Sequence, residues 1–264
     1  MGAAWREPQT TLDKPMAFLQ SAPPRQPFFR APPIVLWLIG TMVALHLARI
    51  SMPANEQDAI IYQFGLYPWR YSQAFLQTYS QTYLHSRMVD PGSLWERAVP
   101  FVSYMGLHAT WTHLIVNSLW LLAFGPIVAR RFGNMLFLLF FLVCGVLAAI
   151  AYLAFNWGGA LPVVGASGAI SGLMAAALRM LPSQTPWAVP GETPLAPLLA
   201  RPLVIFTAIF VAINVVMGIT GLGIGGESGL IAWQAHLGGF AAGLLLCGPI
   251  DRLRPRAVGT PVDR

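Results

Sequence analysis

Two long stretches of this chain carry no charged side chain, residues 132–178 and residues 203–226. A helix of about 20 apolar residues is long enough to cross a hydrocarbon layer about 30 Å thick. Only 10% of the 264 residues are charged and 56% are hydrophobic, whereas a soluble domain carries about 25% charged residues. Because so few polar side chains cannot cover a water-facing surface, the sequence predicts an all-α protein embedded in a lipid bilayer.

Six apolar segments have the character of membrane helices, and the fourth is short for a full crossing. Short, Gly-rich helices are tolerated in a membrane where protein or a cavity covers their backbone. The expected organisation is a polar, Pro-rich cytoplasmic segment at 1–32, a six-helix domain at 33–250 and a basic cytoplasmic tail at 251–264. The six predicted spans are 33–51, 107–128, 135–155, 167–181, 203–220 and 230–250.

The positive charges predict the orientation, because Lys and Arg concentrate in cytoplasmic segments. With the N-terminus inside, twelve of the 16 Lys and Arg residues fall in cytoplasmic segments and four fall outside. This separation favours six spans with both termini in the cytoplasm, and we expect a bacterial inner membrane. The net charge of +6 therefore reflects orientation. With a single lysine, Lys14, and no clustered basic face, no nucleic-acid partner is expected.

Two external segments could serve the function. Residues 52–105 form a long loop whose aromatic residues suit the headgroup level of a bilayer. Residues 218–229, with the sequence GITGLGIGGESG, are either a mobile lid or only a flexible connection. Glu227 in this loop is the nearest acid to the last span, but its place in a glycine loop argues against a role.

Polar side chains within the predicted spans are functional candidates, because burying them in lipid is costly. No Asp or Glu lies among them away from the span ends, which excludes aspartyl intramembrane proteases and carboxylate-dependent proton transport. The chain also lacks the H-E-x-x-H pattern of zinc proteases, so neither a metal nor a cofactor is expected. The candidates are His108, His113, Asn117, Ser167, Ser171, Asn214 and His236.

Ser167 lies in GASGAISG, residues 165–172, where a loop meets the fourth span. A hydroxyl at a helix N-terminus has free backbone N–H groups beside it, which can stabilise a developing oxyanion. Gly168 and Gly172 form a stripe of small residues that lets another helix approach closely.

The matching stripe is AHLGGFAAG, residues 235–243, where His236, Gly239 and Gly243 share one helix face. If the two stripes pack together, His236 can reach the Ser167 hydroxyl and take its proton. With no buried acid nearby, the expected arrangement is a Ser–His dyad.

His113 and Asn117 lie four residues apart on one face of the second span and could both donate to an oxyanion. Each feature alone also has a structural explanation, since Gly and Ser pack membrane helices and intramembrane His and Asn bridge them. Their joint occurrence, in this order, favours catalysis. His46 and His85 have no partner by spacing and are assigned no role.

The stretches 108–125, 165–172 and 235–243 together resemble the rhomboid family of intramembrane serine proteases. The resemblance implies a six-helix rhomboid-like bundle, Ser167 as nucleophile, His236 as general base, and an oxyanion hole of His113 and Asn117. It also implies that the substrates are transmembrane proteins, cut in or near a membrane segment after a small residue. Supporting roles are implied for His108, Gly165, Gly168, Gly172, Gly239 and Gly243.

The chain departs from the family pattern at two positions. Ala129 stands near where many relatives have a glutamate, and Ser171 stands where an aromatic residue often packs on the catalytic histidine. Three other functions stay open. A catalytically silent rhomboid-like protein would bind and retain or traffic membrane proteins, and loss of the serine or histidine would mark it. A small transporter would need a charged pathway or inverted repeats, and a purely structural protein would not need this polar set.

Overall fold

The computed structural model describes residues 31–72, 93–181, 194–221 and 232–254. The Pro-rich segment up to residue 30, the tail from residue 255, His85, Glu227 and most of the predicted glycine lid lie outside these ranges.

Within the described ranges the chain forms eight α-helices, and each predicted apolar segment lies mostly within helix. Leu66 and Val163 form an isolated antiparallel bridge, and these ranges contain no β-strand, so the all-α prediction is confirmed for them. Three helices, α1, α5 and α7, are long and apolar enough to cross a membrane. The helices are α1 Pro33–Ile50, α2 Ala54–Phe64, α3 Leu94–Ala98, α4 Pro100–Ser103, α5 Trp111–Phe155, α6 Ser167–Met180, α7 Arg201–Thr220 and α8 Trp233–Asp251.

Helix α5 contains the third predicted segment and residues 111–128 of the second. The predicted helical start at 107 is wrong, because residues 107–110, which include His108, precede the helix. Gly133 interrupts it with non-helical backbone angles, φ 75° and ψ 169°. Glycine adopts such a conformation without the steric penalty that a Cβ atom brings. The two apolar segments are therefore two helices that follow each other across a kink at Gly133, here called together α5.

Helices α5, α6 and α8 pack against one another and form the core. Eleven of the 14 residues of α6 are buried, which explains how so short a helix is accommodated: protein surrounds it on nearly every side. Helix α7 packs mainly on α8, and its buried residues are Leu203 and Asn214.

The loop that leads into α6 is held by backbone hydrogen bonds to the segment between α1 and α5. The Leu66 N–H donates to the Val163 carbonyl at 3.1 Å, and the Val163 N–H donates back at 2.9 Å. Two residues further on, the Gly165 N–H donates to the Tyr104 carbonyl at 2.8 Å. Tyr104 itself is buried and donates its phenol proton to the Gly145 carbonyl of α5. The start of α6 is thereby tied to the core.

Candidate active site

Helix α6 begins at Ser167, as the sequence predicted. The turn before it requires Gly165, whose φ of +105° is disfavoured for residues with a Cβ atom. Ala166 follows as the capping residue and is fully buried. The Ser167 hydroxyl therefore stands at a helix N-terminus, where the first backbone N–H groups have no partner within the helix.

His236 lies in the first turn of α8, and its Nε2 is 2.8 Å from Ser167 Oγ. The two glycine stripes meet between α6 and α8. A Cβ atom at Gly239 would overlap the Gly168 carbonyl, and one at Gly243 would overlap the Gly172 carbonyl. Because both helices carry glycine at the contact, their backbones come close enough for a serine and a histidine to form a hydrogen bond.

A second hydrogen bond holds the other side of the His236 ring. His236 Nδ1 is 2.8 Å from Asn214 Oδ1, and Asn214 Nδ2 donates to the Phe210 carbonyl at 2.9 Å. Asn214 is one of the predicted intramembrane polar residues, but its sequence position predicted no partner for it. The sequence shows one amide among mostly apolar residues in this segment. That pattern does not reveal which neighbouring side chain the amide contacts.

His113 and Asn117 lie together beside Gly165. A Cβ atom at Gly165 would be 2.6 Å from Nε2 of the His113 ring and 3.3 Å from Asn117 Nδ2. Thr110 caps the start of α5 by accepting a hydrogen bond from the His113 backbone N–H, which sets the turn that carries this ring. Asn117 is buried, and its Nδ2 has no hydrogen-bond partner among the described residues. Two side-chain donors thus line the turn that precedes Ser167.

His108 lies behind this pair, with its ring 5.1 Å from the His113 ring between centroids. It is buried, and its carbonyl accepts from His46 Nδ1 at 3.1 Å and from Arg49 Nη2 at 2.9 Å. His46, which had no partner by spacing, is therefore a buried contact between α1 and the segment that precedes α5. Spacing within one helix could not reveal it, because the partner lies 62 residues away.

The comparisons with known proteins match the same region. The family model described as "Rhomboid domain" matches residues 91–250. The chain belongs to the rhomboid family.

Two relatives extend this family assignment. The chain is 25% identical over 252 residues to the RHOMBOID-like protein 5 of Arabidopsis thaliana, covering 89% of this chain and 74% of that protein. It is 35% identical over 91 residues to the rhomboid protease GluP of Bacillus subtilis strain 168, covering 34% of this chain and 17% of that protein. Together with the apolar helices, membership of the rhomboid family identifies a membrane protein.

The two departures from the rhomboid pattern have defined surroundings. Ala129 is buried in α5. Ser171 is buried in α6 and donates its hydroxyl proton to the Ser167 carbonyl at 2.8 Å. The Ser171 hydroxyl therefore has its partner within its own helix. Within the described ranges, no group of three or more His, Cys, Asp or Glu side chains could hold a metal ion.

Proposed function

We propose that this rhomboid is an intramembrane serine endopeptidase that cleaves membrane segments of other proteins through Ser167 and His236. The observation that carries the proposal is the 2.8 Å contact between Ser167 Oγ and His236 Nε2. A serine hydroxyl is a weak nucleophile unless a base in hydrogen-bond contact takes its proton. The hydroxyl also stands at the N-terminus of a buried helix, where an anion is favoured.

The reaction follows from this geometry. Ser167 Oγ forms a bond to the carbonyl carbon of the substrate while its proton passes to His236 Nε2, and the carbonyl electron pair moves to the oxygen. As that pair returns, the C–N bond breaks and His236 gives the proton to the leaving amine. Water then attacks the acyl ester and gives a proton to Nε2. Release of the acid breaks the bond to Oγ, which takes that proton back.

The negative oxygen needs donors that point at it before the reaction begins. His113 and Asn117 are assigned this role because both line the Gly165 turn next to the nucleophile. The unpaired N–H groups at the start of α6 can add to them. One such donor is typically worth about 2.7–4 kcal/mol in the transition state.

The proposed membrane arrangement has six crossings: α1, the two halves of α5, α6, α7 and α8. Twelve of the 16 Lys and Arg residues then fall on the side of both termini, which the positive-inside rule assigns to the cytoplasm. The protein would lie in a bacterial inner membrane, with the Ser167 end of α6 facing away from the cytoplasm.

The proposed substrates are transmembrane proteins cut after a small residue, by likeness to the family. An α-helix uses its carbonyl groups in internal hydrogen bonds, so the substrate helix must unwind before Ser167 can attack. We expect preference for helices with Gly or Pro in their outer part. Equal cleavage of a single-span substrate after these residues are changed to Leu would contradict that preference.

The relatives support the proposal to different degrees. GluP is named a rhomboid protease and matches this chain over 91 residues. The longer match, RHOMBOID-like protein 5, has no activity in its name. A direct test of the serine is therefore required.

The test is labelling of the purified protein in detergent micelles by a fluorophosphonate probe, which reacts with activated serines. Wild type is compared with Ser167→Ala and His236→Ala. The matched control is Ser171→Ala, which removes a serine one turn later on the same helix. We expect labelling of wild type and of Ser171→Ala, none of Ser167→Ala, and at least a hundredfold slower labelling of His236→Ala, the typical contribution of a general base being about 10²–10⁴.

Two outcomes would contradict the proposal. A folded wild type that is not labelled would favour the catalytically silent rhomboid-like protein. Labelling that survives Ser167→Ala would mean that another residue is the nucleophile.

A further inference from the structure

We infer that Asn214 of α7 is a positioning residue that holds His236 in the tautomer needed to activate Ser167. The inference rests on the proposed function and deepens it. It replaces the expectation of an unassisted dyad with a Ser–His–Asn arrangement, in which the third member comes from the helix that packs mainly on α8.

The hydrogen bonds determine which atoms carry protons. The Phe210 carbonyl can only accept, so the atom of Asn214 that contacts it at 2.9 Å must be the Nδ2 amide nitrogen. The carbonyl oxygen Oδ1 therefore faces His236, 2.8 Å from Nδ1. Because an amide oxygen has no proton to give, Nδ1 must donate.

This assignment decides the state of the other ring nitrogen. A neutral imidazole with its proton on Nδ1 has a lone pair on Nε2. Nε2 is 2.8 Å from Ser167 Oγ, so it can accept the serine proton. The opposite tautomer would point an N–H at the hydroxyl and could not act as a base. Asn214 thus selects the productive form, as an asparagine does in the Cys–His–Asn arrangement of papain-like proteases.

Aromatic packing one turn away fixes the rotation of α7. The Phe210 and Phe240 rings stack with their centroids 4.4 Å apart. Phe210 precedes Asn214 by four residues on α7, and Phe240 follows His236 by four residues on α8. Since residues four apart share a helix face, the same two faces meet at consecutive turns, once through rings and once through the hydrogen bond.

The burial pattern separates Asn214 from an ordinary surface residue. It is 8% exposed, and Leu203 is the other buried residue of α7. A buried amide is stable only with its hydrogen bonds made, and here both ends have a partner. After Nε2 takes the serine proton, Nδ1–H continues to donate to Oδ1, so the charged ring keeps its orientation without a buried acid.

The experiment combines a spectroscopic and a kinetic measurement on the full chain in detergent micelles. Nitrogen-15 NMR of histidine-labelled protein, with His236→Ala for assignment, reports which ring nitrogen of His236 carries the proton. Fluorophosphonate labelling and cleavage of a single-span substrate report activity. The variants are Asn214→Leu, which removes the acceptor, and Asn214→Asp, which keeps an acceptor oxygen. The matched control is Thr207→Val, since Thr207 lies on the same helix and its hydroxyl bonds only locally, to the Leu203 carbonyl.

In wild type and Thr207→Val we expect the proton on Nδ1. In Asn214→Leu, His236 should no longer hold its proton on Nδ1 alone. Labelling should slow about tenfold to a hundredfold, which is less than the full effect of losing a general base. kcat should fall with little change in KM, and Asn214→Asp should recover most of the rate and the Nδ1 proton.

Wild-type His236 protonated on Nε2, or a labelled Asn214→Leu with unchanged tautomer and rate, would overturn this role alone. An unlabelled wild type would overturn the proposed function and this role with it. A third outcome would also overturn the role. If every α7 variant, including Thr207→Val, is labelled slowly while the His236 tautomer is unchanged, the effect is structural.

Discussion

Gly239 of α8 and Gly168 of α6 meet backbone to backbone, with no room for a Cβ atom between them. Gly239 lies one turn after His236 and Gly168 directly follows Ser167, so the spacing of the two helices sets the distance between the reacting atoms. Gly239→Ala should push the helices apart, because the neighbouring atoms are backbone and cannot move aside.

For Gly239→Ala we expect a loss of about 1–3 kcal/mol of unfolding free energy, as for other overpacked contacts, together with slower fluorophosphonate labelling. Unfolding in mixed micelles measures the first effect. Gly40→Ala is the control, because a Cβ atom at Gly40 of α1 would meet nothing within 4 Å. A Gly239→Ala protein as stable and as reactive as Gly40→Ala would contradict the proposed role of the stripe.

Gly165 and Gly133 provide a matched pair of positive-φ glycines. Alanine at either position should cost about 1–3 kcal/mol of stability through backbone strain. At Gly165 the new Cβ atom would also lie 2.6 Å from the His113 ring, whereas at Gly133 it would meet nothing within 4 Å. Labelling should therefore fall in Gly165→Ala and persist in Gly133→Ala. Equal labelling of the two variants, compared at equal folded fraction, would argue against a role for the Gly165 turn.

Asn117→Ala tests the proposed oxyanion donor. Its amide nitrogen is buried without a partner among the described residues, so removing it should leave stability nearly unchanged while kcat falls about 10²–10³-fold. Steady-state cleavage of a single-span substrate measures the effect. Ser118→Ala is the control, since the Ser118 hydroxyl donates to the Leu114 carbonyl of its own helix. A drop in kcat shared by both variants would point to a general disturbance of α5.

Substitution of Asp251, at the end of α8, tests whether its ion pair with Arg131 holds α8 against α5. Its two oxygens accept from Arg131 Nε at 2.7 Å and Nη2 at 2.9 Å, and the two side chains are 16% and 7% exposed. Asp251→Ala removes these hydrogen bonds, together with the 3.1 Å contact from Arg254 Nε to Asp251, and should cost about 1.5–3 kcal/mol, the usual contribution of a hydrogen bond to a charged group. The midpoint of thermal unfolding measures it, with Arg201→Ala, an exposed cation at the start of α7, as control. A midpoint unchanged in Asp251→Ala would contradict the prediction.

Ionisation of Tyr71 should destabilise the packing of the segment between α1 and α5 at alkaline pH. Burial raises the pKa of Tyr71 to about 12, and its hydroxyl donates to the Arg97 carbonyl at 2.7 Å. Because the folded state holds this proton more tightly than the unfolded chain does, the stabilisation is complete below pH 10 and is lost as pH rises from about 10 to 12. Ultraviolet titration of wild type against Tyr71→Phe should isolate a phenol that ionises near pH 12. A difference spectrum titrating near pH 10 would contradict the packing.

The long apolar helices of this rhomboid could be predicted from the sequence, because span-length apolar runs without charges have few other stable structures in lipid. The short helices α2, α3 and α4 were not predicted, since they lie in the segment 52–105 that was expected to be a loop. The sequence also predicted the start of α6 at Ser167 and the glycine contact between α6 and α8. Glycine at four-residue spacing marks one helix face, and two such faces favour each other. The polar candidates Ser167, His236, His113 and Asn117 stood out because lipid makes polar groups rare.

The tertiary structure alone decided the partners of Asn214 and His46. Helix α7 has apolar residues on every side, so no periodicity in its sequence shows which side is buried. In the structure the side that carries Asn214 also stacks Phe210 on Phe240. His46 of α1 meets the His108 carbonyl, which lies in the segment before α5. The sequence by itself determined which residues are polar within the membrane. Packing between helices determined which of them touch, because the rotation and offset of one helix against another arise from side-chain contacts far apart along the chain.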